Sequence, residues 1–260
     1  MNESIRKNPH HFLRAIGGIL TLLGATILIG WFLRSPALVQ ILPDLAPMRP
    51  NTALSFLLCG LGMIAATTGH GAFRISCGLI VSVLGLLTIF EYRFLSDLGI
   101  DRLIVEPFTT IKTSHPGRMS PLTAFCFLLA GLSLVQARQN HRSDIQHVTS
   151  AVLSSTIISI GASVLLGYAV GLGEVHGWPV RFTQMALHTA AAFLVFGAGV
   201  LYFVWNLSRG GKGVHPRWLP IPAAFGTLAA TFVTCLMIRS DQSSQIERAV
   251  RSETAPSRKA

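Results

Sequence analysis

Charge is what this sequence has least of. Only 12% of its 260 residues are Asp, Glu, Lys or Arg, about half the fraction usual for a soluble domain, which excludes an ordinary water-soluble globule. Acids are the scarcer sign, 11 against 21 Lys and Arg. None lies deep in an apolar block, which argues against a pump or a proton-coupled transporter. Cysteine is limited to Cys59, Cys77, Cys126 and Cys235. All four sit in apolar blocks, without a CxxC pair or zinc-ligand spacing, so they are expected as small packed residues. No Ser-His-Asp order, HExxH or phosphate-binding loop occurs. Gly171, Gly173 and Gly177 imitate part of a dinucleotide fingerprint, but the spacing is wrong and no strand precedes them. No catalytic residue, metal or cofactor is expected. The first apolar block lacks an A-x-A site and is long enough to span, so it reads as a retained helix, not a signal peptide.

What the chain does have is long uncharged runs. They lie at Ala15–Leu33, at Pro50–Phe73 with its apolar part ending near Thr68, and between Arg74 and Glu91. Others lie between Arg118 and Arg138, Asp144 and Glu174, Arg181 and Arg209, and Arg217 and Arg239. A membrane span takes about 20 residues, with roughly 17 tolerated. The third run is the shortest and needs the interfacial Tyr92 and Phe94, or tilted neighbours. The prediction is an all-α, polytopic membrane helical bundle of about seven transmembrane helices. Residues 1–14 form a cytoplasmic segment, 15–238 the membrane domain and 239–260 an extracytoplasmic polar tail. Ser240 to Ser252 can prolong the last helix, with Ile246 and Val250 one turn apart.

The formal charge of +10 would suggest nucleic acid in a soluble protein. Here the basic residues occupy loops, with no basic stripe interleaved with aromatics, so the bilayer is the expected partner and nucleic acid is not. With the N-terminus inside, cytoplasmic segments hold nine Lys or Arg against Glu3 and Asp144, and the opposite loops hold seven against six acids. The positive-inside rule therefore places the N-terminus in the cytoplasm and the C-terminus outside.

One motif occurs three times. Met48, Pro50, Thr52, Phe56 and Gly60 recur as Met119, Pro121, Thr123, Phe127 and Gly131, and again, without the proline, as Met185, Thr189, Phe193 and Gly197. The starts are 71 and 66 residues apart, about two spans and two loops, which suggests three helical hairpins plus one helix. Proline suits a first helical turn, threonine can hydrogen-bond backbone within a membrane, and glycine lets helices approach. Two readings stay open. The motif is capping and packing chemistry from a duplicated hairpin, or three helix N-termini frame an outer pocket for an anionic or polar ligand. The pocket residues would be Asn51, Thr52, Thr123, His188, Thr189 and Glu91. His188 takes the slot of Asn51 and Leu122; with His115 and His176 it lies on the outer side, but no H-x-x-x-H pair supports a metal or haem. Glu91 opens a loop with Asp97, Asp101 and Glu106. It is either a ligand or proton site or a solvated interfacial charge paired with Arg93 or Arg102.

The triple P-x-T-A-x-x-F-L-L-x-G pattern, with Leu98-Gly-Ile-Asp101, Pro116-Gly-Arg-Met-Ser-Pro121 and Met185-Ala-Leu-His-Thr-Ala190, resembles the multi-helix N-terminal membrane domain of bacterial sensor proteins. Those are histidine kinases and GGDEF-type diguanylate cyclases, often with CHASE or PAS domains after the membrane block. The resemblance spans roughly residues 12 to 250. It implies an input role in the bacterial inner membrane, with an extracytoplasmic domain after the seventh helix. The sequence stops at Ala260 without a His-containing dimerisation helix, ATP site or cyclase signature. The expectation is therefore a non-catalytic input module, cut short before its output domain or acting through a separate partner. A homodimer, a downstream signalling domain and an unidentified small ligand are the other expected partners; a small transporter or channel is the alternative.

Overall fold

The structure, a computed structural model, describes residues 9–42, 45–102, 104–109, 115–137, 144–170, 183–209 and 220–254. The first 8 residues, His176 with the glycines at 171, 173 and 177, and the tail beyond 254 lie outside the described residues. Among the described residues eight α-helices follow one another: α1 (Pro9–Phe32), α2 (Pro36–Val39), α3 (Pro50–Thr68), α4 (Gly71–Phe94), α5 (Pro121–Gln136), α6 (Asp144–Ala169), α7 (Leu187–Arg209) and α8 (Pro220–Thr254). A 3-10 turn, Ile100–Arg102, lies in the connection from α4 to α5. The chain is all-helical among the described residues. Five helices, α1, α3, α4, α6 and α7, are long and apolar enough to cross a membrane. α5 and the apolar part of α8, Pro220–Leu236, are shorter.

Local chemistry explains several boundaries. Pro50 and Pro121 open α3 and α5 in the first turn, where no amide donor is needed. Arg49 and Ser120 precede them in extended conformation, and the Ser120 side chain accepts from the Thr123 amide at 3.1 Å. α3 stops where Gly69 turns left-handed, with φ 83°.

Charges that bound an apolar run in sequence do not bound the helix. The third run, read as the shortest, lies inside the 24-residue α4, and the fourth yields the 16-residue α5. α4 can carry Arg74 and Glu91 inside it because both are paired. Arg74, 5% exposed, donates to the carbonyls of Leu134 and Val135 and so caps the end of α5. Arg14 serves α3 similarly, donating to the Thr67 hydroxyl at 2.8 Å and its carbonyl at 3.1 Å.

α1 packs on α3, α4 on α5, and α6 on both α7 and α8. Small residues set the separation. A Cβ on Gly60 would strike the Gly17 carbonyl and one on Gly131 that of Gly78. A Cβ on Gly24 would come 2.5 Å from the Ala53 carbonyl, and one on Gly85 2.5 Å from that of Ala124. The α6–α7 pair is looser: a Cβ on Gly161 would stand 2.8 Å from the Ala190 carbonyl, and one on Gly197 3.0 Å from that of Ser154. Three of the four cysteines are buried as expected, but Cys235 is exposed on α8.

α3, α5 and α7 converge on one axis. The fully buried rings of Phe56, Phe127 and Phe193 meet mutually, with centroids 4.8 to 4.9 Å apart in tilted and edge geometry, an arrangement that adds to their burial. α8 runs alongside α6 and parallel to it, since Gly226 lies against Ser159 while the Ser163 hydroxyl donates to the Ala230 carbonyl.

Candidate functional site

The starts of α3, α5 and α7 lie together, and the connection from α4 to α5 folds across them. Gly99 and Gly117 adopt left-handed conformations, φ 73° and 85°, that suit glycine. A side chain on Gly117 would collide with the Asp101 carbonyl and the Pro107 ring, each 2.7 Å from an added Cβ. The turn at Gly117 therefore brings the next residue, Arg118, beside Asp101.

Arg118 is the centre of a buried ionic knot. Its Nε donates to Asp101 Oδ2 at 2.7 Å and lies 3.3 Å from Glu91 Oε2, while Nη2 is 3.7 Å from Asp97 Oδ1. Glu91, Asp101 and Arg118 are 0%, 4% and 3% exposed; the Asp97 side chain is exposed. Glu91 also accepts from the Leu98 amide at 2.9 Å, and Asp97 from that of Gly99 at 3.0 Å. The guanidinium stands over the Tyr92 ring, 5.4 Å from its centroid. Burial pushes the Asp101 carboxyl above the usual aspartate range, and Arg118 pulls it part of the way back. Burial would lower the Arg118 guanidinium, but Asp101 and Glu91 hold it above its ordinary value.

One carboxylate oxygen from each of Glu91, Asp97 and Asp101 lies within 4.8 Å of the others, spacing that a divalent cation could use. The guanidinium already reaches all three acids, so the trio acts first as Arg118's counter-charge. This corrects the reading of Glu91 as a solvated charge beside Arg93 or Arg102: it is fully buried, and its partner is Arg118, 27 residues away. Folding the loop back excludes water, and a carboxylate can be buried there only because a cation arrives with the loop.

The same loop is stitched to several helices. Asn51 Nδ2 donates to the Ile100 carbonyl at 3.2 Å, and Arg49 Nη1 to that of Thr109 at 3.4 Å. Burial lowers Arg49 to about 10. The Phe108 ring packs on Trp31, centroids 4.7 Å apart. Tyr92 Oη lies 3.1 Å from the Met119 carbonyl oxygen and 3.0 Å from the Thr183 hydroxyl.

The expected pocket residues have different fates. Thr52, Thr123 and Thr189 are buried at 2%, 2% and 1% exposure, each one turn before a phenylalanine of the axial triangle and on the same side of its helix. Asn51 and Glu91 are engaged by the loop. His188 is half-buried; among the described residues nothing hydrogen-bonds to its Nε2 and no contact joins it to the knot. The three methionines of the repeated motif are buried, and each offers its carbonyl to an aromatic of the helix packed beside it. Trp31 Nε1 donates to Met48 at 2.8 Å, Tyr92 faces Met119, and Tyr168 Oη donates to Met185 at 2.7 Å.

Sequence reading did not single out Arg118, Trp31 or Tyr168. A signal for the aromatics was present. Gly24, Gly85 and Gly161 each stand seven residues before Trp31, Tyr92 and Tyr168, and Gly17, Gly78 and Ser154 seven before those. Arg118 and Asp101 lie 17 residues apart, and nothing in one dimension pairs them. No family model, curated protein or solved structure matches the chain.

Proposed function

We propose that this chain is the membrane-embedded sensory input module of a bacterial signal-transduction protein, non-catalytic by itself. In this reading α1, α3, α4, α5, α6, α7 and the apolar part of α8 are seven spans, arranged as three hairpins and one further helix. The N-terminus is cytoplasmic, and the starts of α3, α5 and α7 face outward in the inner membrane. A change at those starts repacks the hairpins and is passed on through α8 to a downstream domain or partner, within a homodimer.

The observation that carries the reading is α8 itself. It packs chiefly on α6 and continues, in unbroken helix to Thr254, well beyond its apolar part. From Met237 onward that is roughly five turns, a rod suited to handing on movement. The transporter alternative is disfavoured by the axis, which the three phenylalanine rings fill.

Spin labels on the polar part of α8 and on α6 test this in the full chain, reconstituted in thin and thick phosphatidylcholine vesicles. The expected result is an α8–α6 distance that changes with bilayer thickness while α3–α5 distances hold. Rigid movement of α8 with α6, together with solute flux through the vesicles, would replace the sensor with the transporter.

A further inference from the structure

Hydroxyls inside these helices mostly satisfy themselves on their own backbone. Thr21 donates to the Gly17 carbonyl, Ser55 to Asn51, Thr88 to Leu84, Ser154 to Ser150 and Ser208 to Val204, all at 2.7 to 3.0 Å. This is the usual bond to the carbonyl four residues back. Ser133 on α5 and Ser150 on α6 break the pattern. Both are 1% exposed, and among the described residues neither hydroxyl has a hydrogen-bond partner. An unpaired buried hydroxyl is costly.

Both serines line the same small cavity. Its other walls identify its place. Met63, Leu134 and Val200 stand three residues after Gly60, Gly131 and Gly197, and Ala66, Ala137 and Phe203 stand six after them. The cavity therefore lies on the axis of α3, α5 and α7, about two turns beyond the phenylalanine triangle toward their C-terminal ends. It has room for about one water molecule.

We propose that this axial cavity is a binding site for a single ordered water, bridging the Ser133 and Ser150 hydroxyls. Water has the donors and acceptors to satisfy both, and its size matches the space; a larger polar ligand does not fit. The bridge ties α5 to α6, the helix that carries α8, through an exchangeable molecule instead of a direct side-chain contact.

A high-resolution crystal structure of the full chain in a lipid mesophase, with and without xenon pressure, tests the site. The expected result is water density within hydrogen-bond distance of both Oγ atoms and no xenon there. Replacing both hydroxyls, Ser133→Ala with Ser150→Ala, should dry the cavity and admit xenon, since apolar cavities of suitable size stay empty of water. Hydroxyls turned onto the Leu129 and Gln146 carbonyls, or xenon in the unaltered chain, would overturn the proposal. If the double variant does not fold, the density of the unaltered chain decides alone.

Discussion

The two ends of the helix bundle are closed by different means. Where α3, α5 and α7 begin, a loop brings its own cation, Arg118, to acids that include Glu91 at the end of α4, and Asn51 and Arg49 bind that loop's carbonyls. Where they end, Arg14 and Arg74 reach the last turns of α3 and α5, and the axis between them holds a small gap lined by two serines. The difference is one of reach. At the start, residues from distant segments depend on one another, so a single deletion strands several charges. At the far end the described hydrogen bonds of each arginine go to one helix terminus, so the effect of its loss is expected to stay local.

The sharpest way to break this comparison is Arg118→Met. Removing the cation strands buried Glu91 and Asp101, a change that costs about 3–5 kcal/mol in comparable buried pairs. Thermal unfolding in detergent should show the loss, and it should shrink in acid, where the carboxyls protonate. A loss no larger than that from Arg74→Met would mean that the knot is not the stronger closure.

Arg74→Met is the matching deletion at the other end. It strands two carbonyls of α5, so the expected cost is about 1.5–3 kcal/mol, the range for hydrogen bonds to charged groups. Fraying confined to the last turn of α5, seen by hydrogen exchange, would agree with a local role.

The smallest effect concerns pH. The Asp101 carboxyl is raised in the folded chain, so the folded state binds more protons than the unfolded state between the two values. Stability therefore falls as pH rises from the ordinary aspartate value, about 3.9, through the raised one, and levels off above it. Asp101→Asn removes that proton, and unfolding across this interval should depend less on pH than in the parent. An unchanged slope would show that Asp101 is not the titrating group.

Much of the scaffold was legible in one dimension. Long uncharged runs, proline at Pro50 and Pro121, and the recurring glycines predict helices and their close contacts, because span length, first-turn chemistry and backbone approach are local properties. The length of α4 was not legible, since Arg74 and Glu91 look like boundary charges until their partners are placed. The candidate site was half legible. Thr52, Thr123 and Thr189 recur visibly, but their burial, and the meeting of Phe56, Phe127 and Phe193 one turn on, depend on three helices arriving together.

The sequence by itself determined that this chain is helical and apolar enough for a membrane, and that three of its helices begin alike, because periodicity, charge content and spacing need no partner to act. Only the tertiary structure decided that Glu91 is buried, that Arg118 is its cation, and that Ser133 and Ser150 face one cavity. Each of those depends on segments far apart in the chain sharing a space from which bulk water is excluded, and it is the exclusion of water that turns an ordinary charge or hydroxyl into one that must find a partner.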